Sequence, residues 1–244
     1  MKVILGLGNP GSEYADTRHN VGWHVLDRLV PPANGCRPAA RYSLFNRIRG
    51  WFARQENAPS AWRKGDGPYL EALFTPRGDA SGSTCSSKDV LLVKPLTYMN
   101  RSGQAAAAVS ESHNLDASDI LVIVDDIHLN LADMRLRKRG STGGHNGLAS
   151  LSETLGTDEY PRLRIGVGAP PSGTDLIDFV LSPFSDEERH LIHEAAEHAA
   201  YISEAFGRGG YALAATAYSR WKDRSADGGS GTELPDPSAH RTHD

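Results

Sequence analysis

The sequence predicts an α/β protein, a single three-layer α/β/α sandwich around a mixed, mostly parallel central sheet. Three observations predict it. Apolar runs of strand length recur at 3–5, 90–93, 120–124 and 163–167. Segments whose apolar residues fall at helical spacing separate them. The run at 120–124, ILVIV, is unbroken and rich in β-branched residues, so that strand must be covered on both faces, and helices on either side of the sheet supply the cover.

Each element follows in order. After the first strand, Gly6, Gly8, Pro10 and Gly11 force tight turning of the kind that brings backbone N–H groups close to a ligand. Asn20 is expected to cap a helix whose Val21, Val25, Leu26 and Leu29 face the core, and Pro31-Pro32 ends it. The stretch 33–87 reads as an insertion or elaborated hairpin, with 69–74 its best strand and the glycine- and serine-rich 77–87 its mobile tip. The strand at 90–93 leads to a helix through 105–108. Further strands are expected at 134–139 and 163–167, separated by a helix at 146–155 that Gly156 stops. Ser185-Asp-Glu-Glu188 is a capping box that opens a long helix with Leu191, Ile192, Ala195, Ala199, Ile202 and Phe206 on its inner stripe. A shorter helix at 211–221 follows. The last stretch, 225–244, lacks periodicity and cannot bury enough surface to offset its ordering entropy, so it is expected to be a disordered tail to a domain spanning 1–224.

A chain of 244 residues fits one such domain. It enters a strand at once, and no apolar run approaches the roughly 20 residues that span a bilayer, so a cytoplasmic protein without a membrane partner is expected. Cys36 and Cys85 suggest neither a disulfide framework nor a zinc site. The net charge of −4 argues against a generally cationic nucleic-acid coater. Yet Arg135, Arg137, Lys138 and Arg139 form a basic run, and Arg162 and Arg164 follow the next helix, which together make an RNA-sized footprint on an acidic protein. If 134–139 is a strand, Arg135, Arg137 and Arg139 point to one face, because side chains alternate with period two.

The chemistry concentrates at strand ends, where open α/β sheets gather their ligands. His19 is a candidate general base, since imidazole titrates near neutral pH. Asp125, at the carboxyl end of the 120–124 strand, is the natural group to fix its tautomer and stabilise its protonated form. No serine or cysteine occupies a nucleophile motif, which points to water as the attacking group. Gly6-x-Gly8-x-x-Gly11 fits a dinucleotide-binding pattern only literally, because no clear helix starts at its third glycine. His190, His193 and His198 with Glu194 and Glu197 do not match a zinc-binding helix and read as a polar face.

Three strings carry a resemblance: GLGNPGSEYADTRHNVGW at 6–23, KPLTYMNRSG at 94–103 and GSTGGHNGL at 140–148. In this order they resemble the bacterial peptidyl-tRNA hydrolase family. The resemblance implies cleavage of the ester between a peptide and the terminal ribose of tRNA, with His19 and Asp125 as the catalytic pair. It implies that Asn9, Asn100 and Asn146 bind substrate or stabilise the reacting carbonyl, and that Tyr14 and Met99 line the site. Arg137 and Arg164 match positions that hold tRNA phosphate, and Arg135 joins them on the basic strand. The resemblance implies no metal or organic cofactor, and the protein is expected to act as a monomer. The sequence departs from the family pattern at His128, where an acidic residue is common, at Ala149, where Lys or Arg is expected, and at 170–173, which offers no basic residue. The alternative is a non-catalytic RNA-binding relative, against which the retention of His19, Asp125 and the three asparagines counts.

Overall fold

A computed structural model describes residues 1–30, 62–76 and 89–226. Its strands are β1 (Lys2–Gly6), β2 (Arg63–Lys64), β3 (Tyr69–Phe74), β4 (Val90–Pro95), β5 (Ile120–Asp126), β6 (Met134–Arg137) and β7 (Arg162–Gly166). The helices are α1 (Val21–Leu29), α2 (Ser102–His113), α3 (Asn146–Leu155), α4 (Leu176–Val180) and α5 (Asp186–Ala226). All the strands belong to one sheet, ordered β2-β3-β4-β1-β5-β7-β6. The four central strands β4, β1, β5 and β7 run parallel, while β2 and β3 on one side and β6 on the other are antiparallel to their neighbours. The sheet is thus mixed and parallel at its centre, as the sequence predicts.

Alternation along β1 and β5 divides the core in two. Ile4, Leu121 and Ile123 face α1 and α5, packing on Val21, Val25, Leu26, Ile192 and Ala199. Val3, Leu5, Val122 and Val124 face α2 and α3, packing on Ala105, Val109, Leu148 and Leu151. Gly22 in α1 permits this packing, because a Cβ there would lie 2.6 Å from the Leu7 carbonyl and 2.7 Å from that of Ile123. That close approach holds the start of α1 over the ends of β1 and β5, where the polar residues gather.

Most expected elements stand where the pattern put them. The capping box at the start of α5 forms: the Ser185 N–H donates to Glu188 Oε2 at 2.7 Å, and the Glu188 N–H donates to Ser185 Oγ at 3.3 Å. Gly156, with φ of 65°, ends α3. Gly209 and Gly210 interrupt α5 with non-helical dihedrals, so the expected second helix is the part beyond them.

Three details differ. Leu191 is 46% exposed rather than on the inner stripe of α5, because it lies about 100° round the helix from Ile192, which the sheet buries. Asn20 precedes α1 but makes no side-chain cap to it. The 69–74 segment, expected within an insertion, is a full partner of β4, with Tyr69, Ala72 and Phe74 buried. The expected tail begins at 225, but Ser225 and Ala226 still belong to α5; its remainder from 227 onward, and the rest of the expected insertion, 33–61 and 77–87, lie outside the described residues.

Candidate active site

The parallel strands β1 and β5 end side by side, and two short segments close over their carboxyl ends. One is the 3-10 turn Arg18–Asn20 before α1, and the other is the loop that enters α3. The turn is anchored by Arg18, whose buried guanidinium donates to the Val167 carbonyl at 3.2 Å and pairs with Glu188 at 2.7 Å. Its flat face lies over the rings of Phe179 and Phe184, 4.5 and 4.8 Å from their centroids. A buried cation so fully paired makes a rigid support.

His19 rests on that support. Its Nδ1 is 2.9 Å from both Oδ1 and Oδ2 of Asp125, which is buried at the end of β5. A carboxylate can only accept here, so Nδ1 carries the proton and Nε2 keeps its lone pair. Burial alone would lower the pKa of His19, but the charge and hydrogen bond of Asp125 outweigh it and raise the imidazole above its ordinary 6.5. Asp125 shows the reciprocal effect: burial would raise it, yet the imidazoles of His19 and His145 hold it well below the usual carboxylate range.

His145, which the sequence does not single out, joins the same cluster. Its Nε2 lies 3.0 Å from Asp125 Oδ1, and its ring centroid 4.9 Å from that of His19. Its Nδ1 accepts from the N–H groups of Gly147 at 3.1 Å and Leu148 at 3.3 Å, so His145 caps α3. Those two donors fix the tautomer: Nδ1 is the acceptor, and the proton is on Nε2, facing Asp125. Cap preference favours Ser, Thr, Asp or Asn, so nothing in the composition around position 145 marks it.

His19, Asp125 and His145 bring three possible ligand atoms within 4.8 Å of one another. They do not fit a metal ion. Coordination by His145 Nε2 would move the ring proton to Nδ1, against two backbone N–H groups that already point there.

The three asparagines differ in burial and in partners. Asn9 is buried at the turn after β1, and its Oδ1 accepts the Met99 N–H at 2.8 Å. Met99 is itself buried, and a Cβ on Gly147 would lie 2.5 Å from its sulfur, so a glycine lets α3 close against it. Asn9, Met99 and the start of α3 thereby form one contact chain. Asn100 and Asn146 follow Met99 and His145 directly and are exposed. Tyr14 is half-buried and meets the 58% exposed Tyr98 edge-on, with ring centroids 6.4 Å apart.

The arginines part company. On β6, Arg135 and Arg137 are exposed, while Met134 and Leu136 are buried. Arg139 falls beyond the strand and pairs with Glu159 at 2.9 Å. Arg164 is engaged on three sides, with Nη1 3.0 Å from Asp126 Oδ2 and Nη2 donating to the Ser141 and Thr142 carbonyls at 2.7 and 3.2 Å. Arg162 does not belong to an RNA-facing footprint at all. It is 1% exposed and donates to the carbonyls of Gly140 (2.5 Å), Ser141 (3.2 Å) and Asp158 (2.6 Å). His190 pairs with Glu194 at 3.9 Å on α5, as a polar helix face would.

Comparison with known proteins gives a consistent picture. The family model described as peptidyl-tRNA hydrolase matches residues 3–54 and 72–226. The chain is similar to the peptidyl-tRNA hydrolase of Bacillus subtilis, with 40% identity over 205 residues, 84% of this chain and 91% of that one. It is similar to that of Aquifex aeolicus at 38% identity, covering 82% of this chain and 86% of the relative. Among solved structures it resembles the peptidyl-tRNA hydrolase of Acinetobacter baumannii, with a TM-score of 0.63 and 28% identity over 86% of this chain and 89% of that one. A complex of peptidyl-tRNA hydrolase with N-propanol matches at a TM-score of 0.64 and 28% identity, covering 89% of this chain and 92% of that one.

Proposed function

The chain belongs to the peptidyl-tRNA hydrolase family, and from that premise we propose that it hydrolyses the ester between a peptide and the terminal ribose of tRNA at His19 and Asp125. The single observation that carries the reading is the 2.9 Å contact of His19 Nδ1 with Asp125, which leaves Nε2 free as a base. Water attacks the ester carbonyl and gives its proton to Nε2. Asp125 stabilises the imidazolium, the carbon–oxygen bond to ribose breaks, and His19 returns the proton to the ribose oxygen. Asn9, with Asn100 and Asn146 at the rim, offers neutral amide donors to the carbonyl oxygen and to the peptide backbone. Tyr14 and Met99 line the peptide side. Arg135 and Arg137 hold tRNA phosphate, with Arg164 beside them at the rim. The reading includes action as a monomer in the cytoplasm. Among the described residues no helix is long and apolar enough to cross a membrane. An intact His19–Asp125 pair counts against a non-catalytic RNA-binding relative.

Release of an N-blocked amino acid from tRNA tests the reading. His19→Ala should lower kcat by about 10²–10⁴-fold, as expected for loss of a general base, while tRNA affinity stays close to normal. Near-normal turnover would overturn the assignment. The unprotonated imidazole is the active form and its pKa is raised, so activity should be lost as pH falls through a midpoint above 6.5. Asp125→Asn should slow the reaction and move that midpoint down, because the charge that favours imidazolium is gone. A pH profile unchanged in both height and midpoint would remove Asp125 from the mechanism.

A further inference from the structure

Asn20 sits at the junction of two functional segments and makes none of the helix-capping contacts expected of it. It is fully buried, directly after His19, in the turn that Arg18 anchors. Its side chain faces back toward the first strand. Oδ1 accepts the Asn9 N–H at 2.8 Å, and Nδ2 donates to the Asn9 carbonyl at 3.0 Å. One amide side chain thus holds both main-chain polar groups of a single residue, as a neighbouring strand would. The orientation is unambiguous, since a backbone N–H can only donate and a carbonyl can only accept.

Asn9 is held three more ways. It precedes Pro10, which restricts it to extended backbone. Gly8 before it lies against the Trp23 ring, where a Cβ would come within 2.7 Å of ring atoms. Its Oδ1 is taken by the Met99 N–H. The remaining polar atom, Nδ2, has two hydrogens and donates to no acceptor among the described residues. A largely buried amide with its oxygen committed and its nitrogen reaching solvent has a donor to offer a ligand oxygen.

We propose that Asn20 is a positioning residue that fixes Asn9 as an oriented amide donor and sets its distance from the base His19. The inference rests on the proposed reading of Asn9 as a substrate-binding donor. Asn20 and His19 share one rigid turn, so the contact to Asn9 transmits the position of the base to the position of the donor. A preorganised donor aimed at developing charge contributes far more than one that must find its orientation.

A double-mutant cycle on kcat/KM with N-blocked aminoacyl-tRNA tests this directly. Asn9→Ala should cost about 10²-fold, in the range of a lost oxyanion donor. Asn20→Ala should cost a substantial fraction of that, and the double variant should be no worse than Asn9→Ala alone. Asn20→Asp provides the second variant: it keeps size and the acceptor for the Asn9 N–H, but turns an oxygen toward the Asn9 carbonyl. It should lose activity, while the neutral Asn20→Ala should do so with the pH midpoint of His19 left in place, because the Asp125 contact is untouched and no charge is added. Independent, multiplying losses would overturn the proposal, as would wild-type kcat/KM in folded Asn20→Ala and Asn20→Asp. So would wild-type activity in Asn9→Ala. The side-chain amide resonances of Asn9 give a readout that needs no substrate: they should shift and broaden in Asn20→Asp, while those of Asn146 stay in place. Unchanged Asn9 resonances overturn the positioning role even if the wild-type protein cleaves the ester. Shifted resonances in Asn20→Asp, together with a wild-type protein that does not cleave the ester, would leave the positioning intact and sink the functional reading instead.

Discussion

The tripeptide Arg-Leu-Arg occurs twice, at 135–137 in β6 and at 162–164 in β7, and the two copies lie antiparallel to each other. Arg135 pairs with Arg164, Leu136 with Leu163, and Arg137 with Arg162. Their local propensities are identical, yet their side chains meet opposite fates. β6 is the last strand of the sheet, and both its arginines reach solvent. β7 lies one strand further in, where the loop entering α3 and the segment after it fold across and hand their carbonyls to Arg162 and Arg164. On β6 the charge is displayed, and on β7 it is used to hold backbone. Position in the sheet, not sequence, decides whether an arginine is displayed to solvent or built in as a piece of scaffold.

The largest expected effect that sharpens this contrast is on folding. Arg162→Ala would leave the carbonyls of Gly140, Ser141 and Asp158 without their donor in a buried site, so a loss of roughly 2–4 kcal/mol in urea unfolding is expected. If Arg135→Ala destabilised the protein as much, the contrast between the strands would collapse. An intermediate effect belongs to Arg164. Arg164→Lys keeps the charge but cannot reproduce the forked contacts to Asp126, Ser141 and Thr142, so it should lower kcat several-fold on a full tRNA substrate and on a minimal ester alike. Restoration of wild-type kcat by lysine, with a raised KM for the full substrate only in Arg164→Ala, would return Arg164 to phosphate binding. The smallest effect is on Arg137. Arg137→Ala should leave stability within about 0.5 kcal/mol of wild type. It should raise KM for full tRNA alone and reduce the salt slope of binding by about 0.7–0.9, the share of one phosphate contact. Equal impairment of the minimal ester would make Arg137 structural.

The pairing of His19 with Asp125 shows how far a sequence can be read. His19 and Asp125 are separated by 106 positions, yet each was legible because each stands at the end of an element with a strong local signature. The turn-forming glycines after β1 and the unbroken apolar run of β5 place both at carboxyl ends of parallel strands. His145 stands next to a recognisable asparagine but had no signature of its own, because its role is defined by two partners at once. One is the helix start two and three residues on, and the other is a carboxylate 20 residues back.

By itself the sequence determined the alternation of strands and helices, the two-faced burial of β5, the stop at Gly156, the capping box at Ser185 and the candidates His19 and Asp125. All of these rest on periodicity, on conformational limits within a few residues, or on motifs that occupy contiguous positions. Only the tertiary structure decided that Asn20 braces Asn9 rather than α1, that Leu191 faces water, and that Arg162 is scaffold while Arg137 is surface. Those outcomes depend on which segments cross at a point. A buried polar side chain takes whatever partner the packing delivers, since leaving it unpaired costs about 1–3 kcal/mol, and the identity of that partner is written far away in the chain.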